Sequence, residues 1–496
     1  MLDQTAVPLL KTLQASAQRH HAPFYTPGHK QGQGIPQPLA DWLGKSVFQA
    51  DLPELPELDN LFAPTGVIQE AQQLAAEAFG AEKTWFLVNG STAGVMASIL
   101  ATCGTGDKII LPRNIHQCAI AGLVLSGAVP VFINPEYDPG THLANSITPA
   151  AVEGALEQHP DAKAVMMVYP TYHGVCGDID AIAKLAHQHN IPLLVDEAHG
   201  AHFAFHSQLP PSALAAGADL AVQSTHKVLG AMTQASMLHL QGNRIDAQKL
   251  SRALQLLQSS SPNYLLLASL DAARQQMALY GEKLMHRTLQ LANEARNKIS
   301  QIPQLSVLST ANTPGFKALD CTRLTVKVSN LGISGFEVDK IFHQQLGVTA
   351  ELPTLQHLTF LITLGNTQAD IEQLVQAFTT ITEENYFSRT TGSLQDVLQK
   401  WSEHFLFIHP SSFTICPAIS PRKAFFAATE TIPVAKAPDR ISAELICPYP
   451  PGIPALMPGE MINPAAIEYL QEVLTLGGEI TGCSDPSLRT IKVVRE

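Results

Sequence analysis

Residues 192–227 read PLLVDEAHGAHFAFHSQLPPSALAAGADLAVQSTHK and contain two apolar runs of strand character. The first, PLLV, closes on Asp196 and Glu197. The second, DLAVQ, is followed by Ser224, Thr225, His226 and then Lys227. Near-continuous apolar strands of this kind are covered on both faces, as in parallel sheets. A carboxylate ending one buried strand and a lysine just past the next suit a pyridoxal phosphate site. That cofactor needs an amine to hold its aldehyde and an anion to keep its ring nitrogen protonated.

Working outward, the runs WFLV, KIIL, VPVFI, AVMMVY, IPLLV and DLAVQ alternate with helical stretches such as STAGVMASILATC, HQCAIAGLVLSG and IDAIAKLAHQH. Strands each followed by a helix predict an α/β fold with a mostly parallel sheet, whose ligands bind beyond the carboxyl ends of the strands. Five polar segments fall at such ends: 89–92, 112–116, 169–174, 196–199 and 224–227. Residues 1–20 read as a short amphipathic helix with Leu9, Leu10 and Leu13 on one side, and 246–300 as helical. Farther on, TRLTVKVS, SGFEVDKIFHQQLG, HLTFLITLG and ADIEQLVQAFTTI predict a small β-α-β-α unit. The expected organisation is an N-terminal helix and loop over 1–60, a major domain over 61–300, a small α/β domain over 301–388 and a C-terminal domain over 389–496.

A chain of 496 residues exceeds one ordinary core, and 45% hydrophobic against 15% charged residues indicates a well-buried globular protein. The formal charge of −12 argues against nucleic-acid or anionic-membrane binding and suits a cationic substrate. The seven cysteines are scattered with no Cys-x-x-Cys pair, which fits reduced thiols. No secretory signal and no apolar run long enough to span a bilayer stand out, so a cytoplasmic protein is expected.

Each candidate has a plainer reading. Ser91 and Thr92, after Asn89-Gly90, can cap a helix or open a phosphate cradle on its free amides. Asp196 is either a solvated loop acid or the partner of a pyridinium. Asp-Glu-Ala-His also occurs as the acidic box of nucleotide-driven helicases, but the phosphate loop that reading demands is missing. His199, His202 and His206 have helical spacing for a metal, yet their tract reads as strand end and loop, and no metal is expected. Lys227 is either a solvated side chain or an amine made nucleophilic by partial desolvation. Ser224 and His226 would then add phosphate donors, and His116 could lie flat on an aromatic ring. The glycine-rich loop over 24–34, FYTPGHKQGQG, matches no nucleotide fingerprint and reads as a connector.

Together, TPGHKQG, FLVNGSTAGV, LPRNIHQC, VYPTYHGVCGDI, LLVDEAHGAH and QSTHKVLGAMTQAS closely resemble the bacterial ornithine/lysine/arginine decarboxylases, over nearly the whole chain. The resemblance implies the aminotransferase fold type I, with a seven-stranded, mostly parallel cofactor-binding sheet, a small α/β domain and a C-terminal α+β domain. It implies pyridoxal 5′-phosphate, with Lys227 as its Schiff-base lysine. Ser91, Thr92, Ala198, Ser224 and His226 would be cofactor contacts, with Asp196 on the ring nitrogen and His116 stacked on the ring. Glu460, in PYPPGIP…PGE, would face the substrate's distal cation, and His199 would stand at a pocket position where relatives carry a bulky aromatic. The 24–34 loop becomes active-site lining. A homodimer or higher oligomer with shared sites is implied, in a short form without the N-terminal wing of the large inducible enzymes. The implied reaction is decarboxylation of a basic amino acid, arginine before lysine and ornithine. An aminotransferase, a carbon–carbon or carbon–sulfur lyase of the same fold, or a non-catalytic relative are the alternatives.

Overall fold

The computed structural model describes residues 2–383, 416–449 and 452–495. The expected boundary at 388/389, and Pro450 and Pro451 of the PYPPG stretch, lie outside them. Seven strands build the main sheet: β1 Lys83–Leu87, β2 Lys108–Pro112, β3 Val129–Ile133, β4 Ala164–Val168, β5 Leu193–Asp196, β6 Leu220–Gln223 and β7 Ser236–Leu240. Their order is β1-β7-β6-β5-β4-β2-β3. All six apolar runs form strands, and all but the outermost positions are buried. The seventh strand, β7, was not among the runs read from sequence. It pairs antiparallel with both β1 and β6, whereas β5–β6, β2–β3 and β2–β4 are parallel.

The chain packs as two compact units, Met1–Ala101 with Leu194–Met285, and Thr102–Leu193 with His286–Glu496. In the first unit, helix Gly90–Thr102 follows β1 and lies very close on the sheet. A Cβ at Gly94 would stand 2.6 Å from Val222 Cγ1 and 2.8 Å from Leu87 Cδ1. Val222 is β-branched and stiff, so it cannot swing aside. Gly94→Ala is therefore expected to lower the unfolding free energy by about 1–2 kcal/mol, overpacking outweighing the gain in helix propensity. A denaturant titration checks this, and an unchanged or raised midpoint would contradict it.

The N-terminal helix, Pro8–Ala17, buries Leu9 and Leu13 but leaves Leu10 partly exposed. Asp271 accepts from the Leu9 and Leu10 amides, and Arg274 donates to the Gln4 and Ala6 carbonyls. Those two residues belong to the helix Tyr264–Ile299, which with Ala247–Leu257 accounts for the predicted helical stretch.

In the second unit, the small-domain segments form a four-stranded antiparallel sheet, in the order Ser306–Val307, Arg323–Lys327, His357–Leu361, Leu352–Pro353. Its core joins Leu324, Val326 and Leu358 to Phe342 and Phe378, whose rings meet edge to face at 5.0 Å. A separate core of Ile446, Leu456, Leu470, Ile491 and Val493 holds the C-terminal part. No disulfide joins the cysteines, and no helix among the described residues is long and apolar enough to cross a membrane.

Candidate active site

Most of the residues singled out by sequence gather in the first unit. Gly90, at φ +73°, opens helix Gly90–Thr102 in a left-handed turn that favours glycine. The turn brings Ser91 to the start of the helix, where Ser224 Oγ meets Ser91 Oγ at 2.7 Å. Thr92 is exposed beside it. Thr225 is wholly buried, and its hydroxyl has no hydrogen-bond partner among the described residues. His226 Nδ1 lies 3.0 Å from the Ala235 carbonyl, so it carries the proton and donates there. Two serine hydroxyls, an unpartnered threonine and fresh helix amides make a fitting set of donors for a phosphate.

Asp196 ends β5 and is 5% exposed. The Ala198 amide donates to Oδ1 at 3.2 Å, and no described residue donates to Oδ2. Burial pushes its pKa up, while the Lys227 charge and the Ala198 amide pull it down. A cationic ring N–H would fit this carboxylate as a donor to Oδ2. Lys227 sits in the short turn Thr225–Val228, with Nζ 3.0 Å from His199 Nε2. His199 lies in the turn after β5, and His202 and His206 flank the 3₁₀ turn Phe203–Phe205; no metal-holding group of three such residues occurs among the described residues.

Glu197, the next residue, was given no role by sequence reasoning. It is fully buried, and burial raises its pKa to about 8 despite hydrogen bonds from Gln223 and Ala213. The folded carboxyl then keeps a proton that the unfolded chain releases near 4.5. Stability from this group is complete at low pH and is lost as pH rises through that window. Relative to Glu197→Gln, which cannot ionise, the wild type is expected to lose stability between pH ~5 and ~8. A difference that stays flat in thermal melts across this range would contradict the assignment.

His116 and Glu460 belong to the second unit. The His116 imidazole caps helix Gln117–Ser126, its Nδ1 accepting from the Cys118 amide at 3.2 Å. Glu460 Oε2 pairs with Arg113 at 3.1 Å and accepts from the Met457 amide at 2.9 Å. Arg113 also donates to the Pro454 and Ala455 carbonyls. Sequence reasoning marked the 112–116 segment but assigned Arg113 nothing, because its partners lie in a distant part of the chain. Arg113 also lines a cavity of about 270 Å³ within this unit, with His142, His173, His357, Tyr172 and Tyr469 among its walls. Among the described residues, no aspartate or glutamate lines it.

This sheet order, with a lysine past β6 and an acid ending β5, defines the aminotransferase-like fold type I. Residues 7–370 match the Orn/Lys/Arg decarboxylase major domain and residues 404–484 its C-terminal domain. The chain belongs to the Orn/Lys/Arg decarboxylase family, which makes it an amino-acid decarboxylase, and the family and fold together imply pyridoxal phosphate. It is 40% identical to an arginine decarboxylase of Bacillus subtilis, covering 100% of this chain and 99% of that protein. It is 24% identical to the lysine decarboxylase LdcA of Pseudomonas aeruginosa, covering 94% of this chain and 75% of the relative. The crystal structure of the Francisella novicida lysine decarboxylase LdcF superposes with a TM-score of 0.83 at 21% identity, over 99% of this chain and 81% of that one.

Proposed function

We propose that the chain converts L-arginine to agmatine and carbon dioxide, with pyridoxal phosphate held on Lys227. The observation that carries this reading is a half-buried lysine in the turn just past β6 beside a buried aspartate that ends the neighbouring parallel strand β5, Asp196 having one oxygen without a donor among the described residues. The near full-length likeness to an arginine decarboxylase supports the choice of substrate.

When bound, the cofactor supplies an electron sink for the pair left at Cα as the carboxylate departs. The chain's residues have separate tasks. Asp196 would hold the proton on the ring nitrogen, and Ser91, Thr92, Ser224 and His226 would bind the phosphate. Ala198 would steady Asp196 through its amide, and His116 would hold the ring plane. Lys227 Nζ would hold the cofactor and, with His199 at 3.0 Å, forms a pair able to hold or move a proton. One proton is taken up at Cα for each carbon dioxide lost. Glu460 has Oε2 committed to Arg113 and Met457, so Oε1 is the oxygen assigned to the substrate's distal cation. A cytoplasmic homodimer with shared sites completes the reading.

Incubating purified protein with pyridoxal phosphate and equal arginine, lysine and ornithine, then identifying the amine by mass spectrometry, tests the substrate. Agmatine as the main product is expected. Cadaverine or putrescine in its place would move the assignment to lysine or ornithine.

A further inference from the structure

Glu197 is held by two different parts of the first unit. Oε1 accepts from the Ala213 amide at 2.7 Å, and Oε2 from Gln223 Nε2 at 2.8 Å. Gln223 Oε1 lies 3.1 Å from His239 Nε2, and His239 Nδ1 lies 2.8 Å from Thr84 Oγ1. The Gln223 amide, oriented with its nitrogen toward Glu197, sets the direction of this chain. The Gln223 amide gives its N–H to Glu197, so its oxygen accepts and His239 must be protonated on Nε2. Burial holds His239 neutral, its pKa pushed down to about 3, so Nδ1 is bare and the Thr84 hydroxyl donates to it. Thr84, His239, Gln223 and Glu197 are all buried, and the chain runs across β1, β7 and β6 to the end of β5.

What it anchors is the segment that carries His199. Residues 197–213 leave β5 and return at Ala213, and the Glu197 side chain ties the two ends together. Within that segment, Phe205 meets Phe79 edge to face at 5.0 Å, and Phe79 stacks on His239 at 4.8 Å. Gly200 leaves the Glu197 side chain its space, since a Cβ there would stand 2.8 Å from Glu197 Cγ. At the far end of the chain of contacts, His199 Nε2 meets Lys227 Nζ at 3.0 Å. Gln223 itself ends β6, just ahead of the turn that holds Lys227.

We propose that Glu197, Gln223 and His239 are positioning residues for the Lys227 amine, the buried chain fixing segment 197–213 and so setting His199 against Lys227. This role rests on Lys227 being the amine that holds the cofactor. Loosening the segment withdraws His199, which both uncovers the amine and removes an acceptor that favours its protonated form. Both effects make Lys227 more reactive toward acylation.

The test reads Lys227 in cofactor-stripped full-length protein, by the rate of acetylation with acetic anhydride followed by peptide mass spectrometry. Exposed Lys184 serves as the internal reference. Gln223→Met and His239→Leu keep bulk but break the chain, and His239→Gln restores a donor toward Gln223. The Lys227-to-Lys184 ratio is expected to rise about fivefold in the two breaking variants and to return to within about twofold of wild type in His239→Gln. Wild-type ratios in breaking variants that melt as the wild type does would overturn the positioning role, and so would His239→Gln behaving as His239→Leu. If a breaking variant fails to fold, Gly200→Ala, which displaces Glu197 without removing a hydrogen-bonding group, must raise the same ratio. Cofactor uptake by the wild type is scored separately from visible absorption on adding pyridoxal phosphate, so a failed assignment of Lys227 shows there and not in the labelling ratios.

Discussion

Lys227→Ala is expected to abolish the visible absorption band that the wild type develops with pyridoxal phosphate, and to cut agmatine formation by about a thousandfold or more. The reason is positional. An amine that captures an aldehyde must be partly desolvated, near a group that can take or give a proton, and close to donors for the phosphate. Lys227 meets these conditions through His199 at 3.0 Å and through Ser224 and Thr225 at the start of its own turn. Its side chain is only half-buried, so removal should leave folding intact, which a thermal melt of the cofactor-free protein would verify. A variant that keeps both the band and the turnover would place the cofactor on another lysine.

Asp196→Asn should separate stability from function. In cofactor-stripped protein, Asp196 keeps a buried carboxyl whose only hydrogen-bond donor among the described residues is the Ala198 amide. Replacing it with a neutral amide removes the cost of burying that charge, so the melting temperature of the stripped protein is expected to rise by a few degrees. The same change takes away the anion that keeps the ring nitrogen protonated, and turnover should fall about a thousandfold, as for loss of one well-placed electrostatic stabiliser. Pyridoxal phosphate should then raise the melting temperature far less than it does in the wild type. Equal cofactor stabilisation in both proteins would remove Asp196 from the cofactor site.

The central sheet was legible because its strands are covered on both faces and read as unbroken apolar runs. β7 escaped because its run, Ser236–Leu240, contains His239. An imidazole looks polar in a sequence, and it becomes a core residue here only because Gln223 and Thr84 satisfy its two nitrogens on the flanking strands. For the same reason Glu197 passed for the tail of an acidic pair, since its partners at 213 and 223 are set by the fold of the loop. Asp196 and Lys227 were visible because a charged group where an apolar strand ends is conspicuous without any knowledge of its neighbours. Arg113 was visible only as part of a polar segment. Its pairing with Glu460 and with the carbonyls of Pro454 and Ala455 spans a sequence distance that no local pattern reports. The stretch over 246–300 reads as helical, and it breaks between Leu257 and Tyr264, where Gln258 Oε1 accepts from the Val88 amide. That contact is again tertiary.

The most direct test of the central claim is to supply L-arginine carrying ¹³C in its carboxyl group to the enzyme with pyridoxal phosphate, following gas and amine together. Labelled carbon dioxide and unlabelled agmatine should appear in equal amounts, and both should vanish in Lys227→Ala. Label retained in a keto acid, with no carbon dioxide released, would contradict the account and make the chain an aminotransferase.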